Sequence, residues 1–290
     1  MSYCHILKIN IFVKNQKILL KKVLLIFAFA SFTNINSINA QHFTHDVGIF
    51  AGLSVMKTDY GERSDFKSNF GNIGASLSIA HYLHFFNKSL RWNPNDELLN
   101  RIAIKSEFNF VSTTLNHHGK EANDSDIGGA KLKAMIGTNS IINLGLSLEY
   151  YFINLSDFIY PYSNDKFNPY FTFGIRYSFY NNTINSSYGA GYNSDADGDN
   201  PAAGVLPSKY YATDALKTGS GGALGFSLGF GSRYKLTEKI DLAGQFNWQV
   251  FLSDTVDALQ VKELSNKNNE WLLNFQLGVI YHLNLTEPLF

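Results

Sequence analysis

Cysteine is almost absent: the single one in 290 residues is Cys4. It precedes the apolar run described below, where a lipoprotein acceptor would not be, so the rest of the chain can hold no disulfide, thiol nucleophile or cysteine-ligated metal. Long hydrophobic runs are missing as well. The stretch Val23 to Phe32 (VLLIFAFASF) is too short to cross a bilayer as a helix, and Lys14, Lys17, Lys21 and Lys22 before it break any longer reading. No segment carries a helical period, and residues 1–40 contain no arginine, which disfavours a mitochondrial presequence. Nor is there a basic excess. Taking the five lysines of residues 1–40 from the 24 basic side chains leaves 19 against 24 acidic ones, a net −5 that gives no reason to expect nucleic acid.

What remains in the first forty residues is a basic stretch, a short apolar core and a polar lead-in to Ala40. That pattern is expected to be a secretory signal peptide, residues 1–40, followed by one all-β domain, residues 41–290.

That domain is written in period two. In Ser140 to Ile153 the even positions Ile142, Leu144, Leu146, Leu148, Tyr150 and Phe152 are apolar, whereas Asn143, Gly145, Ser147 and Glu149 are small or polar. Successive strand side chains point to opposite faces, so this is a strand with one greasy side. The same alternation places strands at about Asp46–Val55, Ile73–Phe86, Ile102–Thr113, Ser140–Ile153, Phe171–Phe179, Leu224–Leu236, Ile240–Leu252 and Trp271–Leu283. The longest irregular segment between them is residues 181–221.

An eight-stranded antiparallel up-and-down barrel follows, and the open question is which face meets water. A soluble, lipocalin-like barrel would turn the apolar face inward and carry Lys and Glu outside. Here the other face is mostly Gly, Ser, Thr, Asn and Gln, which suits a narrow lumen. The apolar face is banded, with Phe85, Tyr150, Phe152, Phe171, Tyr234 and Tyr281 near one rim and Tyr177, Phe179, Trp248 and Trp271 near the other. Aromatic girdles around an aliphatic belt match the two interfaces of a bilayer. The reading is therefore a transmembrane β-barrel with long loops on one side and strands that project beyond the membrane.

The stretches Asp59-Tyr60-Gly61-Glu62, Glu107-Phe108-Asn109-Phe110, Leu148-Glu149-Tyr150-Tyr151-Phe152, Phe173-Gly174-Ile175-Arg176-Tyr177 and Trp248-Gln249-Val250-Phe251-Leu252-Ser253-Asp254 resemble those of small outer-membrane β-barrels of Bacteroidetes, in particular a flavobacterial family. The resemblance implies a barrel in the outer membrane of a Gram-negative cell and brings no catalytic residues. Phe290 is similar to the final aromatic read by barrel-assembly machinery, from which Pro288 departs. The expected partners are outer-membrane lipid, that machinery and a ligand at the extracellular loops.

Five charged residues have lumen parity: Lys105, Glu107, Glu149, Arg176 and Arg233. They form either a selectivity patch, an acid/base pair or an ion-paired plug, and charges in so narrow a lumen need partners. Glu149 is expected to take Lys105, Arg176 or Arg233. In the long loop Asn193, Asp195 and Asp197 have the spacing that begins an EF-hand calcium loop, but the twelfth position is Gly204, and a solvated loop is the simpler reading. His117 and His118 are adjacent and point to opposite sides of an extended chain, a poor metal pair. No catalytic residue and no cofactor is expected. The role is structural or surface-binding, with solute passage and lipid modification as the alternatives.

Overall fold

The structure is a computed structural model and describes residues 41–61, 65–87, 98–155, 158, 165–199, 201, 204–212, 215–260 and 270–283. The signal-peptide expectation for residues 1–40, Glu62, Pro161, Pro288 and Phe290 lie outside them.

The strands are β1 (Gln41–Lys57), β2 (Ile73–Asn87), β3 (Ile102–Asn116), β4 (Met135–Tyr151), β5 (Phe167–Ser186), the two-residue β6 (Tyr192–Asn193), β7 (Gly219–Lys235), β8 (Ile240–Phe251) and β9 (Trp271–His282). Short α-helices between them include α1 (Phe66–Phe70), α2 (Ile127–Ala134) and α3 (Ser194–Asp197). None of the described helices is long and apolar enough to cross a membrane. The strands pair in the order β4-β3-β2-β1-β9-β8-β7-β5, and β5 pairs again with β4, so the sheet closes into an eight-stranded antiparallel barrel with β6 as a flap on β5. Closure leaves no strand edge in the described wall unpaired.

Alternation explains the wall. Along β4 the inward positions are buried and the outward ones are not, and Leu146 and Leu148 are each about half exposed. Ile49, Leu53, Leu77, Phe173, Leu228, Phe275 and Leu277 repeat this around the barrel. A soluble protein does not leave an apolar band of this size open to water.

β5 is longer than its hydrophobic pattern suggests. Its register with β4 runs up to Met135↔Ser186, and with β7 to Asn182↔Gly219. The irregular segment therefore spans residues 187–218, not 181–221. The extra turns of β5 look loop-like because their outward residues are Asn181, Thr183 and Asn185, yet Asn182, Ile184 and Ser186 keep the inward alternation. The same inversion occurs on neighbouring strands at this end. Ser112, Thr114 and Asn116 of β3 and Thr138 and Ser140 of β4 face out, while Met56, Val111, Leu115, Ile141, Ile184 and Leu272 are buried inside. On β3, β4 and β5 the wall turns polar outside where the interior becomes apolar, whereas on β1, β2 and β9 the outside stays apolar at Val55, Ile73 and Trp271.

Several bulky lumen residues lie opposite a glycine on the paired strand. Phe50 pairs with Gly278, Tyr170 with Gly231 and Tyr180 with Gly221. A Cβ at Gly278 would sit 2.4 Å from the Phe50 ring and from the Ile49 carbonyl oxygen. These glycines make room for rings inside the lumen, as the alternation of β7 implies.

Candidate functional site

Within the apolar belt much of the interior is polar, interrupted by the buried cluster of Phe50, Ala80, Tyr82, Ala243 and Ile280. The polar part centres on Glu107 of β3. Arg176 Nη2, from β5, donates to Glu107 Oε2 at 2.6 Å, and Lys105 Nζ lies 3.4 Å from Glu107 Oε1. Gln245 of β8 reaches across to receive a bond from Lys105 at 2.6 Å and to donate to Glu107 Oε1 at 3.2 Å. Glu149 lies 3.8 Å from Lys105 Nζ and accepts from the Tyr151 hydroxyl. Lys105, Glu107, Glu149 and Arg176 are all at most 2 % exposed. Four of the five charged residues singled out by parity thus meet in one cluster.

The fifth does not. Arg233 sits nearer the lower end, where its Nη1 donates to Asp46 Oδ2 at 3.0 Å. Its guanidinium lies over the Tyr82 and Tyr151 rings at 4.4 and 5.1 Å, a cation sandwiched by aromatic faces. Asp46 is shared further: His84 Nε2 is 2.6 Å from Oδ2 and His282 Nδ1 2.8 Å from Oδ1. His282 Nε2 meets Asp241 at 3.1 Å. The His282 ring thus stands between two buried carboxylates. Sequence reasoning missed Asp46, His84, Asp241 and His282 as a group. The signal is there, since His84, Asp241 and His282 alternate with the apolar positions of their strands, but parity alone does not say that four strands converge.

Above the charged centre the bonds become neutral and run round the wall. Gln245 donates to Gln276 at 2.7 Å, and Gln276 to Ser76 and Ser78 at 2.8 Å each. Asn109 donates to the same two serines at 2.9 Å and accepts from Asn143 at 2.9 Å. Ser178 donates to Asn143 at 2.6 Å, and Gln249 to Ser178 at 2.8 Å. An amide or hydroxyl buried in a bilayer is costly unless paired. This ring pairs most of its members, leaving the Gln249 side-chain carbonyl oxygen and the neighbouring Asn274 side-chain amide without a hydrogen bond among the described residues.

The upper end is closed differently. The segment after β8 turns into the mouth: Asn139 donates to the Val256 carbonyl at 2.6 Å, and Asn182 to the Thr255 carbonyl at 3.0 Å. The 187–218 segment joins it through paired Leu216 and Leu259, with Lys217 N donating to Ala258 O at 2.9 Å and Gln260 N to Ala215 O at 2.9 Å. Val205, Leu206, Tyr210, Val256, Leu259 and Tyr60 then pack with Met56, Leu115, Ile141 and Leu272 as one apolar core. His117 belongs to this cap, accepting from Gly61 N at 3.1 Å with its ring 4.7 Å from Tyr60. The backbone of His118 meets α1, its carbonyl oxygen accepting from Ser68 Oγ at 3.0 Å.

Within the cap three carboxylates approach one another. Asp257 Oδ2 accepts from Asp59 N at 2.7 Å, and Asp257 N donates to Glu270 Oε1 at 3.1 Å. Burial, with the charge of Asp59 beside it, pushes Asp257 up to about 7. Burial and then the Asp257 charge hold Glu270 well above the usual carboxylate range. The calcium-like triplet shows no such convergence. Asn193 caps α3 by accepting from Asp195 N at 3.0 Å, and Asp197 accepts from Asn193 N at 2.9 Å, on an exposed turn. Among the described residues no group of three or more His, Cys, Asp or Glu side chains is arranged to hold a metal.

An apolar exterior wrapped around a charged, hydrogen-bonded interior decides between lipid and water. The chain is a transmembrane β-barrel. No family model and no curated protein matches it. Solved structures similar to it are outer-membrane and surface proteins. Neisserial surface protein A is 12 % identical with a TM-score of 0.38, covering 82 % of this chain and 97 % of that one. The attachment invasion locus protein Ail of Yersinia pestis, solved with a heparin analogue, is 9 % identical with a TM-score of 0.38, covering 85 % and 100 %. A major outer membrane protein from Thermus thermophilus is 14 % identical with a TM-score of 0.42, covering 83 % and 100 %.

Proposed function

We propose that this barrel resides in the outer membrane of a Gram-negative cell, of the small Bacteroidetes type, as a non-enzymatic, non-conducting protein that stabilises the membrane or displays its loops for binding. The ends of the strands that carry the longer loops face outward from the cell, and β1 begins on the periplasmic side. The observation that carries the reading is the double closure of the lumen: a hydrogen-bonded polar plug at membrane depth and an apolar cap above it. Lys105, Glu107, Glu149, Arg176 and Arg233 serve as members of that plug. A passage would need waters in place of the Gln245–Glu107 and Gln276–Ser78 bonds, and then a way through side chains such as Met56 and Leu272. The cap presents folded loops, which suits surface binding more than transport.

Liposome swelling tests this. Vesicles carrying the refolded protein are expected to swell in small sugars no faster than protein-free vesicles, and a swelling rate that rises with protein content contradicts the reading. Lipid A mass spectra are expected to stay unchanged when the protein is overproduced; a new acylation or deacylation species contradicts its non-enzymatic part.

A further inference from the structure

The short helix α1, in the connection from β1 to β2, is built inside out. Ser68 is its one fully buried residue, and its hydroxyl is tied to Asp65 and to the His118 carbonyl. Phe66 and Phe70, one turn apart and therefore on one face, are 75 % and 39 % exposed and stack on each other at 4.8 Å. A water-facing helix would do the reverse.

The exposed face is continuous with the lipid-facing wall. The Phe70 ring lies 5.7 Å from Trp271, the outward residue that opens β9, and Ile73 just beyond α1 is 56 % exposed. Below them Leu53 and Leu273 continue the belt on the paired strands β1 and β9. Two cations frame the patch: Lys57 Nζ lies 5.7 Å over the Trp271 ring, and Lys67 is an exposed residue of α1 itself. Aromatic rings with lysines at their edge fit the boundary between acyl chains and headgroups, and the lysines add attraction when the headgroups are anionic.

We propose that α1 is a membrane foot: Phe66 and Phe70 enter the leaflet beside Trp271, while Lys57 and Lys67 meet anionic lipid phosphates. The first outer loop is thereby held down on the bilayer instead of standing in water. The proposal rests on the outer-membrane reading but adds a contact that the reading does not require.

The test uses the full chain refolded into phosphatidylcholine vesicles with and without phosphatidylglycerol, carrying an environment-sensitive fluorophore on Phe66→Cys and, separately, on Lys67→Cys. Depth is read from quenching by lipids brominated near the headgroup and by aqueous iodide. For Phe66→Cys, strong lipid quenching with weak iodide quenching is expected, and for Lys67→Cys the opposite balance, with deeper insertion when phosphatidylglycerol is present. A Phe66→Cys probe quenched mainly by iodide in a barrel that still shows a heat-dependent gel shift overturns the foot and leaves the barrel standing. Failure to insert at all overturns both. Probe protection that disappears on diluting the protein in excess lipid also overturns the foot, because the patch is then covered by a second copy of the chain.

Discussion

Arg176 and Glu107 meet at 2.6 Å across the β3–β4–β5 wall, both at most 2 % exposed. A carboxylate so placed keeps its charge only while its cations remain. Arg176→Ala leaves Glu107 with Lys105 at 3.4 Å as its remaining ion-pair partner, and breaking a buried pair by removing one member costs about 3–5 kcal/mol. Urea unfolding in lipid vesicles is expected to show a loss of that order. The double variant Arg176→Met with Glu107→Leu should recover most of it, since a well-packed apolar replacement carries no uncompensated charge.

The opposition of Phe50 and Gly278 makes a second test. Gly278→Val places a side chain where the Phe50 ring lies 2.4 Å from a Cβ. Overpacking of this kind costs about 1–3 kcal/mol. The same unfolding assay should show that loss, and Phe50→Ala in the Gly278→Val background should relieve part of it.

The Asp257–Glu270 pair makes the cap sensitive to pH. Both groups bind protons more tightly when the cap is folded, so their contribution is present at low pH. It is lost as pH rises through the window from the ordinary Asp value of 3.8 to about 7, and Glu270, raised by burial and then by Asp257, acts in the same direction. Limited proteolysis of the loops is expected to be slower at mildly acidic pH than at mildly alkaline pH. Glu270→Gln supplies a permanent amide donor without the second charge and should flatten that difference. Digestion equally fast at both pH values in the natural chain would contradict the coupling.

How far the sequence alone reaches is clear from individual residues. Period two assigns Leu144, Leu146 and Leu148 to the outside and Glu149 to the inside, because a strand offers only two faces. It cannot say which cation Glu149 finds. Barrel closure sets that, bringing Lys105 to Gln245 over 140 positions and Asp46 to His282 over 236. The upper part of β5 is hidden because Asn181, Thr183 and Asn185 face water, where a strand and a loop share a composition. The cap is invisible for another reason: Val205, Leu206 and Leu259 belong to irregular segments with no period to read, and only packing collects them.

Single-channel recording in planar bilayers tests the closed lumen most directly. The natural chain, inserted and showing its heat-dependent gel shift, is expected to give a silent baseline across a wide voltage range. Arg176→Ala should stay silent too, since the apolar cap around Val256, Leu259 and Leu272 does not depend on it. Discrete, reproducible openings from the natural chain, abolished or altered by Arg176→Ala, would contradict the plug and make the lumen a conduit.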